Sequence, residues 1–223
     1  MLILYYSPGV CSLAPHVALE ETGIAFEARR VSIADGQHKS AAYCAINPQG
    51  RLPALVIDNQ VVTEVPALLT YIASLRPERG LVPAGGSLDQ ARCFELLAFL
   101  SSSLHIAYAQ LWRPERFLSD DFEQRDLFSA LGREAIQRCN AEVEARLVGP
   151  WALGEHFSIA DAYLLPFYRW GVRIGLDMVA TCPRWSAWSL RMAARQAVQR
   201  AVEREGIGWE WLPAATAGQE AAA

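Results

Sequence analysis

A chain of 223 residues suffices for one large domain or two modest ones, each able to bury a core. Hydrophobic residues at 52% and charged residues at 20% exclude a disordered, collagen-like or coiled-coil chain. The net charge of -4 and the shortness of the basic spots, Arg29-Arg30 and Arg76 with Arg79, exclude a broad cationic face and with it nucleic acid as a partner.

Leu2 to Tyr6 is an apolar and aromatic run of strand length, and Ser7-Pro8-Gly9 after it is a turn. Leu13, Val17 and Glu20-Glu21 follow helical spacing as far as Gly23, a C-terminal cap. Phe26 to Ile33 reads as a second strand, exposed on its charged side. A polar stretch from Asp35 to Ser40 leads into a short helix ahead of "INPQGRLP". "ALVI" and "QVV" flank Asp58-Asn59, a hairpin signal. Leu68, Leu69, Ile72 and Leu75 then mark one face of a helix with Pro66 in its first turn. The order βαβαββα predicts a small α/β layer with its helices packed on the sheet.

"RPERGLVPAGGS", rich in Pro and Gly, reads as a linker. Beyond it Cys93, Leu97, Leu100 and Leu104 step by four and three residues, and similar spacing recurs from Phe122 to Val148, Ile159 to Ile174, Trp185 to Ala194 and Ala197 to Val202. These patterns predict an α/β domain over 1–77, a linker over 78–87, an all-α helical bundle over 88–212 and a flexible tail over 213–223.

Five cysteines, an odd number without a C-x-x-C pair or a secretory segment ahead of them, point to reduced thiols in a cytoplasm. The four histidines lack metal-ligand spacing, so no metal is expected. No apolar run approaches the ~20 residues that cross a bilayer, so no membrane partner is expected and the protein reads as soluble.

Cys11 sits where a helix begins, and converging backbone N–H groups there stabilise a thiolate and lower its pKa. The residues alone leave two readings open for it, a reactive thiol and a buried structural one; Cys44, Cys93, Cys139 and Cys182 read as structural. Pro53 precedes a strand, and a cis bond to Leu52 would turn the Leu52 backbone towards a peptide-like ligand, whereas base rates favour an ordinary trans proline. Thr63 and Glu64 stand at the mouth of a helix, either as an anion site with a carboxylate for an ammonium or merely as its cap.

Read in order, "YYSPGVCSLAPHVALEETG", "INPQGRLPAL", "TEVPALLTYIASLRP" and "GEHFSIADAYLLP" resemble the glutathione S-transferase family, and within it the bacterial beta-class members. The resemblance implies a thioredoxin-like domain on a mixed four-stranded sheet, followed by an all-helical domain. It implies glutathione as co-substrate and a cis Pro53. Cys11 would face the glutathione sulfur, as hydrogen-bond donor to the thiolate or as partner in a mixed disulfide. Leu52 would pair the tripeptide's cysteinyl backbone, Glu64 would meet its γ-glutamyl ammonium, and the Val65 N–H its carboxylate. His105 would stand near the sulfur and polarise it or accept its proton, with Ser102 and Ser103 offering hydroxyls. Ser158 and Asp161 form a structural capping box. The thiolate would attack an apolar electrophile, a disulfide or a peroxide, against walls drawn from Tyr108, Trp112, Phe117 and Trp170. A detoxifying cytoplasmic homodimer completes the expectation.

Three departures from the family pattern stand out: Val65 replaces a usual Ser or Gly, Ala98 a frequent Asn, and Lys39 is displaced in a shorter loop. Losing several such contacts would weaken glutathione binding by roughly one to three orders of magnitude. Two other functions therefore stay open: a non-enzymatic binder of apolar ligands or a protein partner, and a monothiol, glutaredoxin-like oxidoreductase.

Overall fold

The computed structural model describes residues 1–118 and 122–213; the expected tail lies, from residue 214 on, outside the described residues. Four strands, β1 (Leu2–Tyr6), β2 (Glu27–Arg30), β3 (Ala54–Ile57) and β4 (Gln60–Thr63), form one mixed sheet in the order β2-β1-β3-β4. β1 runs parallel to β2 and antiparallel to β3, and β3 pairs β4 as a hairpin. Asp58 and Asn59 both take positive φ, 46° and 70°, as a two-residue hairpin turn that matches strand twist requires.

β2 is shorter than the run Phe26 to Ile33 suggests. Past Val31 the backbone donors leave the ladder for side chains: Ser32 N–H donates to Gln37 Oε1 at 2.9 Å and Ile33 N–H to Ser7 Oγ at 3.4 Å. That exit from the sheet opens the space beside the β1 terminus.

Three helices accompany the sheet: α1 (Leu13–Thr22), ended by Gly23 at φ 69°, the four-residue α2 (Ala41–Cys44), and α3 (Val65–Ser74). Side chains alternate along β1, so Leu4 and Tyr6 face the main core while Ile3 and Tyr5 join Val31, Tyr43 and Ala54 in a smaller cluster on the opposite face. The remaining long elements are helical: α4 (Leu88–Phe99), α5 (His105–Trp112), α6 (Phe122–Arg146), α7 (Ile159–Arg173), α8 (Met178–Thr181), α9 (Pro183–Ala193) and α10 (Gln196–Glu205).

α4 and α5 are joined by a single π-helical turn, Leu100–Leu104. Cys93, Leu97, Leu100 and Leu104 are buried as their spacing predicts, but the wider turn rotates whatever follows relative to an unbroken α-helix.

α1 is buried along nearly its whole length because it packs on α3 and also on α7 and α10. Leu13, Val17 and Leu19 therefore belong to one core with Leu97, Tyr163 and Trp185. Full burial of each such side chain contributes about 1.5 to 3 kcal/mol, so this core fixes the two halves against each other. Ion pairs fasten the same seam: Arg195 grips Glu21 with two bonds of 2.6 and 3.0 Å, and Arg200 meets Glu20 at 2.6 Å.

α7 begins at the expected box. Ser158 Oγ accepts from Ala160 N–H at 3.3 Å, while the buried Asp161 carboxylate accepts from the Ser158 and Ala152 N–H groups and from Trp188 Nε1–H, at 2.9, 2.8 and 2.8 Å.

Candidate functional site

Between the sheet and the helical half lies a cavity of about 780 Å³. The β1–α1 turn, the segment after β2, the Asn47 to Pro53 loop and the mouth of α3 form one wall; α5, its C-terminal extension and α7 form the other.

Gly9 anchors the first wall from three sides. Its N–H donates to the buried Glu205 carboxylate at 2.8 Å, and its carbonyl accepts from Trp170 Nε1–H at 2.9 Å and from Arg169 at 3.4 Å. Glu205 also meets His16 Nδ1 at 2.9 Å, so the last turn of α10 holds both α1 and the loop ahead of it. Gly9 has φ 70°, where a β-carbon would be strained and would stand 3.1 Å from the Arg169 guanidinium.

Cys11 lies two residues past this anchor and lines the cavity, 6% exposed. Its Sγ–H donates to the Leu52 carbonyl at 3.5 Å. The expected drop in its pKa does not occur. Burial pushes the thiol up to about 12, outweighing its own backbone N–H and the Arg113 charge, which pull it down, while Glu64 and Glu205 push it further up. Dipoles at a helix start favour a thiolate only when the sulfur stays solvated; here desolvation wins. Cys11 is a neutral thiol at pH 7.

The Leu52–Pro53 peptide is cis, and both residues line the cavity. Glu64 and Val65 line it as well. Glu64 is the residue before α3 at φ 69°, a positive φ uncommon outside glycine, and its side chain makes no capping bond. The exposed carboxylate is thus free of the capping role that its position allows.

His105 faces the cavity from the first turn of α5, edge-on to Trp170 at 5.5 Å between ring centres. Burial, together with the positive charges of Arg116, Arg113 and Arg51, lowers its pKa to about 4. A neutral imidazole at pH 7 polarises a neighbour better than it stores a proton.

Ser102 and Ser103 are not among the lining residues; Ser101 takes their place. Ser102 is exposed and spends its hydroxyl on the Ala98 carbonyl at 2.8 Å. Through the π-helical turn, the residue that shares the His105 face stands four positions back rather than two or three. Ser101 Oγ donates to the Leu97 and Ala98 carbonyls at 3.1 and 3.0 Å. Lys39 also lies outside the lining and reaches the Gln49 carbonyl at 3.4 Å; His38 lines the cavity instead.

Of the aromatic walls, Tyr108, Trp112 and Trp170 line the cavity, with ring centres 5.0 to 5.2 Å apart and Trp170 edge-on to the other two. Phe117 does not; it packs on Phe128 at 5.4 Å. The composition reading missed a set of arginines: Arg30, Arg51, Arg113, Arg116 and Arg173 converge on this one cavity. They come from distant segments, so no local run announces them; "RPER" at Arg113 to Arg116 is the nearest signal.

Among the described residues no group of His, Cys, Asp and Glu is arranged to hold a metal ion, and no helix is long and apolar enough to cross a membrane.

Residues 1–74 match the model of the glutathione S-transferase N-terminal domain and residues 90–191 that of the C-terminal domain. A curated relative, glutathione S-transferase GstA of Escherichia coli O157:H7, is 32% identical over 92% of this chain and 98% of its own. A glutathione transferase homologue from sulfitobacter, solved with bound glutathione, superposes with TM-score 0.88 at 35% identity, over 93% of this chain and 99% of the other. The bacterial beta-class glutathione S-transferase of Sphingomonas chungbukensis superposes with TM-score 0.80 at 36% identity, over 92% and 100%. With both domains matched in order and relatives aligned over nearly its full length, the chain belongs to the glutathione S-transferase family.

Proposed function

We propose that the cavity binds glutathione along its sheet-side wall and activates it for transfer, with Cys11 as a protonated donor to the glutathione sulfur. In this reading the tripeptide's cysteinyl backbone pairs Leu52 beside Pro53, its ammonium meets Glu64, and its γ-glutamyl carboxylate takes the Val65 N–H at the start of α3. His105 polarises the sulfur from the helical side. The sulfur then forms a bond to an electrophilic carbon, the leaving group departs with its electron pair, and the thiol proton passes to water.

One observation carries this reading: the Cys11 thiol, protonated at pH 7, directs its S–H at the Leu52 carbonyl from within the cavity. A thiolate bound there offers that S–H a charged acceptor in place of a neutral one, a gain of about 1.5 to 3 kcal/mol. The glutathione-bound sulfitobacter relative supports transfer over the binder and monothiol alternatives. We further place the division between the halves at 78–87, with the second substrate against Tyr108, Trp112 and Trp170, and assign the protein to a cytoplasmic, detoxifying homodimer.

The test pairs the native protein with Cys11→Ala and Cys11→Ser, assaying aryl-halide conjugation and glutathione-dependent disulfide reduction. Loss of roughly ten- to a hundredfold in conjugation kcat/KM in Cys11→Ala, partly restored in Cys11→Ser, is expected from one such bond. Undiminished conjugation with abolished disulfide reduction would instead make Cys11 a redox centre.

A further inference from the structure

We infer that the electrophile this site takes is a carboxylate anion: an apolar, aryl-like body lying on Trp112, with its carboxylate held between Arg113, Arg116 and Arg173. The inference rests on the glutathione-transfer reading above and names its second substrate.

Among the described residues five arginines line the cavity, and Glu64 is the one carboxylate in its lining. Arg30 and Arg51 stand on the sheet side, where glutathione is placed; the other three stand on the helical side. Some arginines elsewhere in the chain are held by carboxylates, and others outside the cavity form no ion pair with a described residue. Arg29, Arg146, Arg195, Arg200 and Arg204 each hold a carboxylate within 2.6 to 2.9 Å. None of the five cavity arginines forms an ion pair with any described residue.

Bound as the thiolate, glutathione brings two carboxylates, a thiolate and one ammonium, and its anionic groups fall largely on the sheet-side wall. Among the described residues no carboxylate forms an ion pair with the helical-side guanidinium groups, although the Glu115 charge acts on Arg116. Burial lowers the pKa of Arg116, and the nearby charges of Arg51 and Arg113 lower it further, with Glu115 opposing them. Like charges gathered at the mouth of a partly desolvated cleft focus a field that draws an anion. Guanidinium groups bind a carboxylate through paired N–H donors, more strongly than water replaces them. The Arg173 guanidinium lies 5.9 Å from the centre of the Trp112 ring, and that ring is 40% exposed, an apolar platform beside a charged edge. A neutral, fully apolar electrophile would use the platform and leave the charges unpaired.

The test uses a matched pair, 4-chloro-3,5-dinitrobenzoate and 4-chloro-3,5-dinitrobenzamide, with glutathione and the full chain. In both, the sulfur bonds the chlorine-bearing carbon, chloride leaves with the electron pair and the thiol proton goes to buffer. Each kcat/KM is divided by the uncatalysed rate constant for the same compound, which removes the difference in ring activation. The expected result is a preference for the acid of about tenfold or more that shrinks as salt is raised. The Arg116→Gln/Arg173→Gln double variant should bring the acid-to-amide ratio to within about twofold of unity, and the Arg116→Lys/Arg173→Lys pair should retain most of the preference. Equal or better turnover of the amide by the native protein overturns the inference. So does a double variant that slows both compounds alike, or that raises the KM for glutathione with the ratio intact. If neither compound is conjugated, the transfer reading fails. Calorimetry of the two preformed glutathione conjugates then decides the anion site: about tenfold tighter binding of the carboxylate conjugate upholds it and equal binding overturns it.

Discussion

A sulfur at the start of a helix stands between two opposed effects, the main-chain dipoles that favour its charge and the loss of water that forbids it. At Cys11 the second prevails, and the thiol is a donor rather than a resting nucleophile. The sequence places the cysteine but is silent on its solvation, because Cys11 is buried in a core shared with residues as remote in the chain as Tyr163 and Trp170 on α7. The same argument governs His105 across the cavity, where burial comes first and the arginines add to it. Its imidazole C–H resonances should titrate with a midpoint at about 4, leaving the ring neutral at pH 7. With the folded value below the ordinary one near 6.5, the folded state binds fewer protons than the unfolded state between these limits. Stability from this group is complete above about 6.5 and is lost as the pH falls towards 4. A midpoint near the ordinary value would show that the cavity is wetter than its packing implies.

At the scale of elements, strands and caps follow local chemistry closely. The Asp58-Asn59 turn, the Gly23 cap and the Ser158 box are each written in adjacent residues, and each forms. The end of β2 depends on which acceptor captures the Ser32 and Ile33 donors, and these acceptors lie on other segments. The π-helical turn at Leu100–Leu104 leaves the apolar stepping unchanged, so it is invisible in the pattern while moving Ser101 into the position expected of Ser102 or Ser103. The capping box gives the sharpest test here. Asp161 is fully buried and serves the Ala152, Ser158 and Trp188 donors at once. Asp161→Ala orphans them all and should cost about 3 to 5 kcal/mol in urea unfolding, whereas Ser158→Ala should cost about 1. Near-equal midpoints for native and Asp161→Ala would show that water replaces the carboxylate.

Across the whole molecule, the cavity exists only because α1 and the seam ion pairs lock the two halves together, with Glu205 on α10 gripping the loop that carries Cys11. Motifs contiguous in the chain were legible from the start: Cys11, Leu52-Pro53 and Glu64-Val65 all reach the cavity. The arginine set was not, since its members lie far apart in the chain and meet only through folding. The central claim is that this assembled cavity ionises glutathione while Cys11 stays protonated. Ultraviolet absorbance of thiolate, followed as glutathione is added at neutral pH, tests it most directly. The account predicts no thiolate band in the protein alone and a band that grows and saturates with bound glutathione. A band already present before glutathione is added and absent from Cys11→Ala, or none at saturation, would contradict it.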